Sequence, residues 1–110
     1  MLAEKPELLC RFARAYTEAI HVYRNDPALS QQVLARYTNT ESPADLAESF
    51  RACRDYTETV PMPRLEATQM AFELMTPDVP QARDANPHDF YDDRLVREQE
   101  ASGFIASLGR

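Results

Sequence analysis

The stretch NPHDFYDDRLVREQEASGFI, residues 86–105, decides how the chain is read. His88, Asp89, Asp92 and Asp93 fall within six consecutive positions. Such a cluster is either a metal site or a pair of helix starts. A zinc site needs three or four N, S or O ligands converging, and its helical catalytic form spaces two His at i, i+4 around a Glu. Here there is one His, and His21 falls in a different expected helix. A calcium loop alternates oxygen ligands around a Gly at its sixth position. The run DFYDDRLVREQE has no Gly there. The helix-start reading asks for less. Asn86 precedes Pro87, with Asp89 three residues on, as in a capped first turn. Asp92 can cap a second short turn, and Asp93 is favourable near the positive end of a helix dipole. Each aspartate then has a local use, and no metal or other cofactor is expected.

Working outward, the last helix is expected from Pro87 or Asp92 to Ser102. Gly103 takes the left-handed stop, and FIASL follows as an apolar tail. Upstream, residues 76–86 contain two prolines and little periodicity, which reads as a loop. A helix from Arg64 to about Met75 turns Ala67, Met70, Ala71, Leu74 and Met75 inward. Pro61 and Pro63 hold the chain extended before it. Ser42, Pro43 and Asp45 form a near capping box for a helix carrying Leu46, Phe50 and Cys53. Asp26 caps a helix starting at Pro27, with Leu29, Val33, Leu34 and Tyr37 as its stripe. The first helix runs from Pro6 to about Tyr23, with Leu9, Phe12, Ala13, Tyr16, Ala19, Ile20 and Tyr23 on one apolar face.

Period-2 alternation and Asn-Gly or Asp-Gly turns are absent from the sequence. The expected fold is therefore all-α: about five short helices in helix-turn-helix pairs, forming one helical region over residues 1–110. Net charge is −6, from 18 acidic and 12 basic side chains. Nucleic-acid binding is not expected, because phosphates require clustered Lys and Arg. The closest basic pairs, such as Arg51/Arg54 and Arg94/Arg97, read as solvated helix faces. No apolar run reaches the roughly 20 residues that span a bilayer. The stretch MLAEKPELLC lacks the basic and apolar regions of a signal peptide, so the chain as written is expected in the cytoplasm.

Cys10 and Cys53 fit neither a zinc ribbon nor a C-x-x-C pair, and read as two buried thiols acting as small hydrophobes. A Cys–His pair with His21 or His88 is disfavoured for thiols that face a core. There is no G-x-S-x-G and no Gly-rich phosphate loop, so no enzyme activity is expected. Tyr16, Tyr23, Tyr37, Tyr56 and Tyr91 could stack on sugars or bases. Four of the five sit at helix-core spacing, which favours packing with the hydroxyl at the surface.

The order of these motifs resembles the C-terminal end of the solute-binding proteins of ABC importers for nitrate, sulfonate, taurine, bicarbonate and thiamine-precursor pyrimidines. In that family a V-P-x-P turn precedes a helix; Pro61, Pro63 and Leu65 stand in those places here. The family's closing run is matched by Asp89, Phe90, Asp92, Asp93, Val96, Arg97, Glu98, Ser102, Gly103 and Phe104. FARAYTEAIHVYRNDPALSQQVLARYT resembles the helix before the family's D-P turn. Gln99 departs from the pattern, standing where the family usually has an apolar residue.

The resemblance implies a helical segment at the end of a type II periplasmic-binding-protein-like fold, about the last third of such a protein. Its partners would be the importer's permease and ATPase, and a small anionic or heterocyclic solute. The parent family is periplasmic or extracytoplasmic. The strands and most ligand contacts of that fold would lie upstream, so no ligand-binding residue carries over to this chain. Helices that cover a sheet leave apolar stripes open when alone, and a homo-oligomer of this chain is expected. Two alternatives remain: a free-standing helical interaction or dimerisation module, and a remnant of a pyrimidine-precursor synthase, which one branch of the family contains.

Overall fold

Three helices begin on a proline, because the first helical position needs no N–H and suits the fixed φ of the ring. In the computed structural model, which describes residues 5–109, these are α1 (Pro6–Asn25), α2 (Pro27–Thr38) and α3 (Pro43–Tyr56). Local chemistry sets their boundaries. Asp26 ends α1 and caps α2, its carboxylate accepting from the Leu29 N–H at 3.0 Å. Asn39 closes α2 in the left-handed region at φ 52°, a conformation Asn tolerates. Ser42 Oγ accepts from the Asp45 N–H at 3.3 Å and starts α3.

The rest of the chain is α4 (Leu65–Met75), a 3-10 turn at Pro80–Arg83, a second at Pro87–Phe90, α5 (Arg94–Ala101) and α6 (Phe104–Leu108). The fold is all-α, with no strand among the described residues. The expectation of about five helices undercounts. FIASL is a helix rather than a tail, because Gly103 (φ 74°) both stops α5 and opens α6. The stretch from Pro87 is also split: the 3-10 turn ends at Phe90, and Tyr91 is extended before α5 begins. The region 76–86 holds the other 3-10 turn, which Pro80 initiates.

Successive helices pack on each other, α1 on α2 and α2 on α3. The chain then returns, and α5 and α6 lie against α1. α4 makes its main contacts with the two 3-10 turns. Phe50 on α3 is 3% exposed beneath the Tyr23 ring, edge-on at 5.4 Å. Tyr23 Oη donates to the Phe50 carbonyl at 3.4 Å, and Ser30 Oγ donates to the Tyr23 carbonyl at 3.0 Å. Arg24 fastens the end of α1 to the end of α3. Its guanidinium donates to the carbonyls of Arg54 and Thr57, groups a helix C-terminus leaves without intrahelical partners.

Little apolar surface is enclosed. Phe50 and Val96 are the buried hydrophobic residues among those described. The chain exposes 8654 Å², where a compact monomer of its 12.6 kDa mass would expose about 6,200 Å². Its radius of gyration is 17.3 Å, against about 13 Å for a compact chain of this length. The expected stripes are accordingly half empty. Phe12, Tyr16, Leu29, Val33, Tyr37, Met70, Leu74 and Met75 are exposed. The physical reason is plainest in α1, which is apolar on two opposite sides. Thr17, 1% exposed, marks the side its neighbours cover, and Phe12, 67% exposed, lies on the other.

Candidate functional site

The C-terminal cluster is built from hydrogen bonds to its own backbone and to arginines. Asn86 Oδ1 accepts from the His88 N–H at 3.2 Å and starts the second 3-10 turn. Asn86 Nδ2 reaches Asp89 Oδ1 at 3.5 Å. Asp92 Oδ1 accepts from the Arg94 N–H at 3.1 Å, and its two oxygens take the Arg94 guanidinium in a fork at 2.9 and 2.7 Å. Asp93 carries the capping backbone carbonyl of α5, which accepts from Val96 and Arg97. Its side chain turns to Arg97 Nε at 2.5 Å and to Tyr91 Oη at 3.0 Å.

The electrostatics follow from these contacts. Side-chain hydrogen bonds from Arg94, then its backbone N–H, hold the Asp92 carboxyl down at about 2. Arg97, and then Tyr91, hold Asp93 below the usual carboxylate range. Tyr91 is pushed up chiefly because its hydroxyl donates to Asp93. A carboxylate fixed as an anion by an arginine is a poor proton donor or acceptor near neutrality. Among the described residues, no group of three or more His, Cys, Asp or Glu is arranged to hold a metal ion. The cluster is a splint between a 3-10 turn and α5.

The other motif residues are also joints. Pro61 and Pro63 lie in the extended link before α4, half-buried. Phe90 meets Phe72 of α4 edge-on at 5.1 Å, tying the second 3-10 turn to that helix. Arg14 of α1 lies 4.9 Å over the Phe104 ring, tying α6 to α1. Val96 and Gln99 are the buried residues of α5. Gln99 is 3% exposed, and neither its Nε2 nor its Oε1 has a hydrogen-bond partner among the described residues.

The cysteines correct the expectation of two buried thiols. Both are free, Cys53 is exposed and Cys10 half-buried. Cys53 follows Phe50 by one turn and stands near the Tyr23 hydroxyl, whose acidity burial and this thiol both lower. Cys10 Sγ is 4.0 Å from Glu98 of α5. The tyrosines are corrected as well. Tyr16, Tyr37 and Tyr56 are exposed, Tyr56 at 89%. Tyr23 and Tyr91 alone are partly enclosed, and the five do not share a face.

The concave surfaces among the described residues include two between packed elements. One, of about 630 Å³, lies between α4 and the first 3-10 turn and is lined by Gln69, Phe72, Glu73, Thr76 and Arg83. The other, of about 530 Å³, runs between α1 and α2 along Ala15, Ala19, Val22, Leu29 and Val33 and is mostly apolar. Sequence reasoning placed Ala19, Leu29 and Val33 on apolar stripes, left out Ala15 and Val22, and missed that the five frame an open groove. The signal was present in the apolar content of both sides of α1. Compared with protein-family models, with curated proteins and with solved structures, the chain matches none of them.

Proposed function

We propose that this chain is the C-terminal helical part of an ABC importer's solute-binding protein, of the nitrate, sulfonate, taurine and pyrimidine type. It covers one lobe of the receptor and does not contact solute on its own. The observation that carries the reading is the ordered motif from Pro61 to Phe104. Its residues sit at turns, caps and ring contacts, the positions a helical covering layer must fix. The exposed Met70, Leu74 and Met75 of α4 support it further. Such faces are what helices present to a sheet in layered α/β architectures. In that setting the permease and ATPase are partners of the whole receptor, and the solute is a small anion or heterocycle held by residues outside these 110.

The test is the coding sequence on either side of this one. The reading expects two sheet-bearing lobes encoded immediately upstream, beside permease and ATPase genes. An upstream region encoding no such lobes, in any frame, would overturn it.

A further inference from the structure

The outward side of α1 carries Leu8, Phe12, Ala15, Ala19 and Val22, spaced four, three, four and three residues apart. That is the alternation of a coiled-coil seam. All five are exposed, Leu8 at 51% and Phe12 at 67%, and they lie opposite the 1%-exposed Thr17. A solvated helix face has no use for five such residues in register. We propose that this seam binds a second copy of the same chain, with the two α1 helices antiparallel about a two-fold axis at Ala15. The inference goes beyond the importer reading and does not depend on it.

Three observations choose that occupant and that orientation. First, an antiparallel register centred on Ala15 sets Leu8 level with Val22 of the second copy and brings Phe12 within one residue of Ala19. Large side chains then meet small ones. The Phe12 ring of each copy enters the other's apolar groove between α1 and α2, beside Ala15, Ala19, Leu29 and Val33. Second, the charged residues on one flank of the seam are Arg11 and Glu18, both exposed. The same register sets Arg11 beside Glu18 of the second copy, twice over by symmetry, so a self-complementary interface satisfies both signs. A parallel pairing would instead set that flank against the opposite one, where Tyr16 and Tyr23 stand, and leave Arg11 and Glu18 without a charge partner in the second copy. Third, the chain exposes 8654 Å², a surplus of about 2,400 Å² over a compact monomer of its mass. A stable interface of standard size takes about 800 Å² from each partner.

The experiment is sedimentation equilibrium of the whole 110-residue chain and its seam variants, with circular dichroism to verify helix content. The wild type is expected to be a dimer at about 100 µM. Ala15→Glu brings two carboxylates together on the axis and should give a folded monomer. Arg11→Glu alone and Glu18→Arg alone should each weaken the dimer roughly tenfold or more, and the double exchange should restore it. In a Cys10→Ser/Cys53→Ser background, a Leu8→Cys chain mixed with a Val22→Cys chain should form mainly the mixed disulfide. A monomeric wild type at that concentration overturns the proposal and leaves the seam to another partner. A dimer indifferent to Ala15→Glu, an unrestored double exchange, or Leu8→Cys chains pairing with themselves overturns it equally.

Discussion

Replacing Gln99 should make the protein more stable. Gln99 is 3% exposed on α5, and its amide nitrogen and oxygen are both without partners among the described residues. A buried polar group left without a hydrogen bond costs about 1–3 kcal/mol. Gln99→Met keeps an unbranched side chain of similar length, so it fills the same space without a cavity or overpacking. Removing two unpartnered atoms and adding an apolar contact sets the expected gain at roughly 2 kcal/mol. In a domain of about this size such a gain raises the melting temperature by about 8–16 °C. The assay is urea unfolding of both proteins followed by circular dichroism at 222 nm, at a fixed chain concentration. The midpoint should rise with the slope unchanged, since the surface exposed on unfolding is nearly the same. Gln99→Ala serves as the contrast, because it also removes the amide but leaves a void. A Gln99→Met protein less stable than wild type would refute the reasoning and would mean that the amide is bonded in solution.

Other perturbations probe the joints. Asp92 has a carboxyl lowered to about 2 in the folded chain. Its contribution to stability is therefore complete above the unfolded value near 4 and is lost as pH falls toward 2. Asp92→Asn should flatten the stability profile across that window, as read by unfolding at successive pH values. Arg24→Met removes two hydrogen bonds to the end of α3 while keeping an apolar stem. It should lose about 1–2 kcal/mol and speed amide exchange around Tyr56 and Thr57, measured by mass spectrometry. Gly103→Ala meets no atom within 4 Å of its new Cβ, so the penalty comes from φ +74° alone. About 1–2 kcal/mol is expected in the same denaturation assay.

The helix starts are readable from the chain because their causes are local. Pro6, Pro27 and Pro43 suit a first turn, and Asp26, Ser42 and Asn86 have side chains that reach the N–H two or three residues on. Gly103 is readable for the same reason, although a residue that stops one helix can also open another, and α6 was hidden by that double use. Burial is different, because it depends on what lies across from a helix. The α1 pattern merges two faces: Leu9, Ala13, Ile20 and Tyr23 are partly covered, while Phe12, Tyr16 and Ala19 are exposed. Periodicity reports that a residue is apolar but not which neighbour, if any, covers it. Cys53 illustrates the same gap, since it keeps the spacing of Leu46 and Phe50 yet is exposed. The acidic cluster was the most legible candidate site. Asp92 and Asp93 each had an arginine within four residues, and those are the partners they hold, while Asp89 takes the side-chain amide of Asn86.

The account rests on helices that are well started and well joined but lack the mass to enclose them. Caps and arginine splints fix local geometry, and the apolar area that would stabilise a whole domain is left facing outward. The most direct test is isothermal titration calorimetry with taurine, an alkanesulfonate, nitrate and hydroxymethylpyrimidine. It should be run on this chain alone and on the chain joined to the segment encoded immediately upstream. The account predicts no saturable heat from the chain alone and roughly micromolar binding of one of these solutes by the joined protein. Saturable micromolar binding by the 110 residues alone would contradict it.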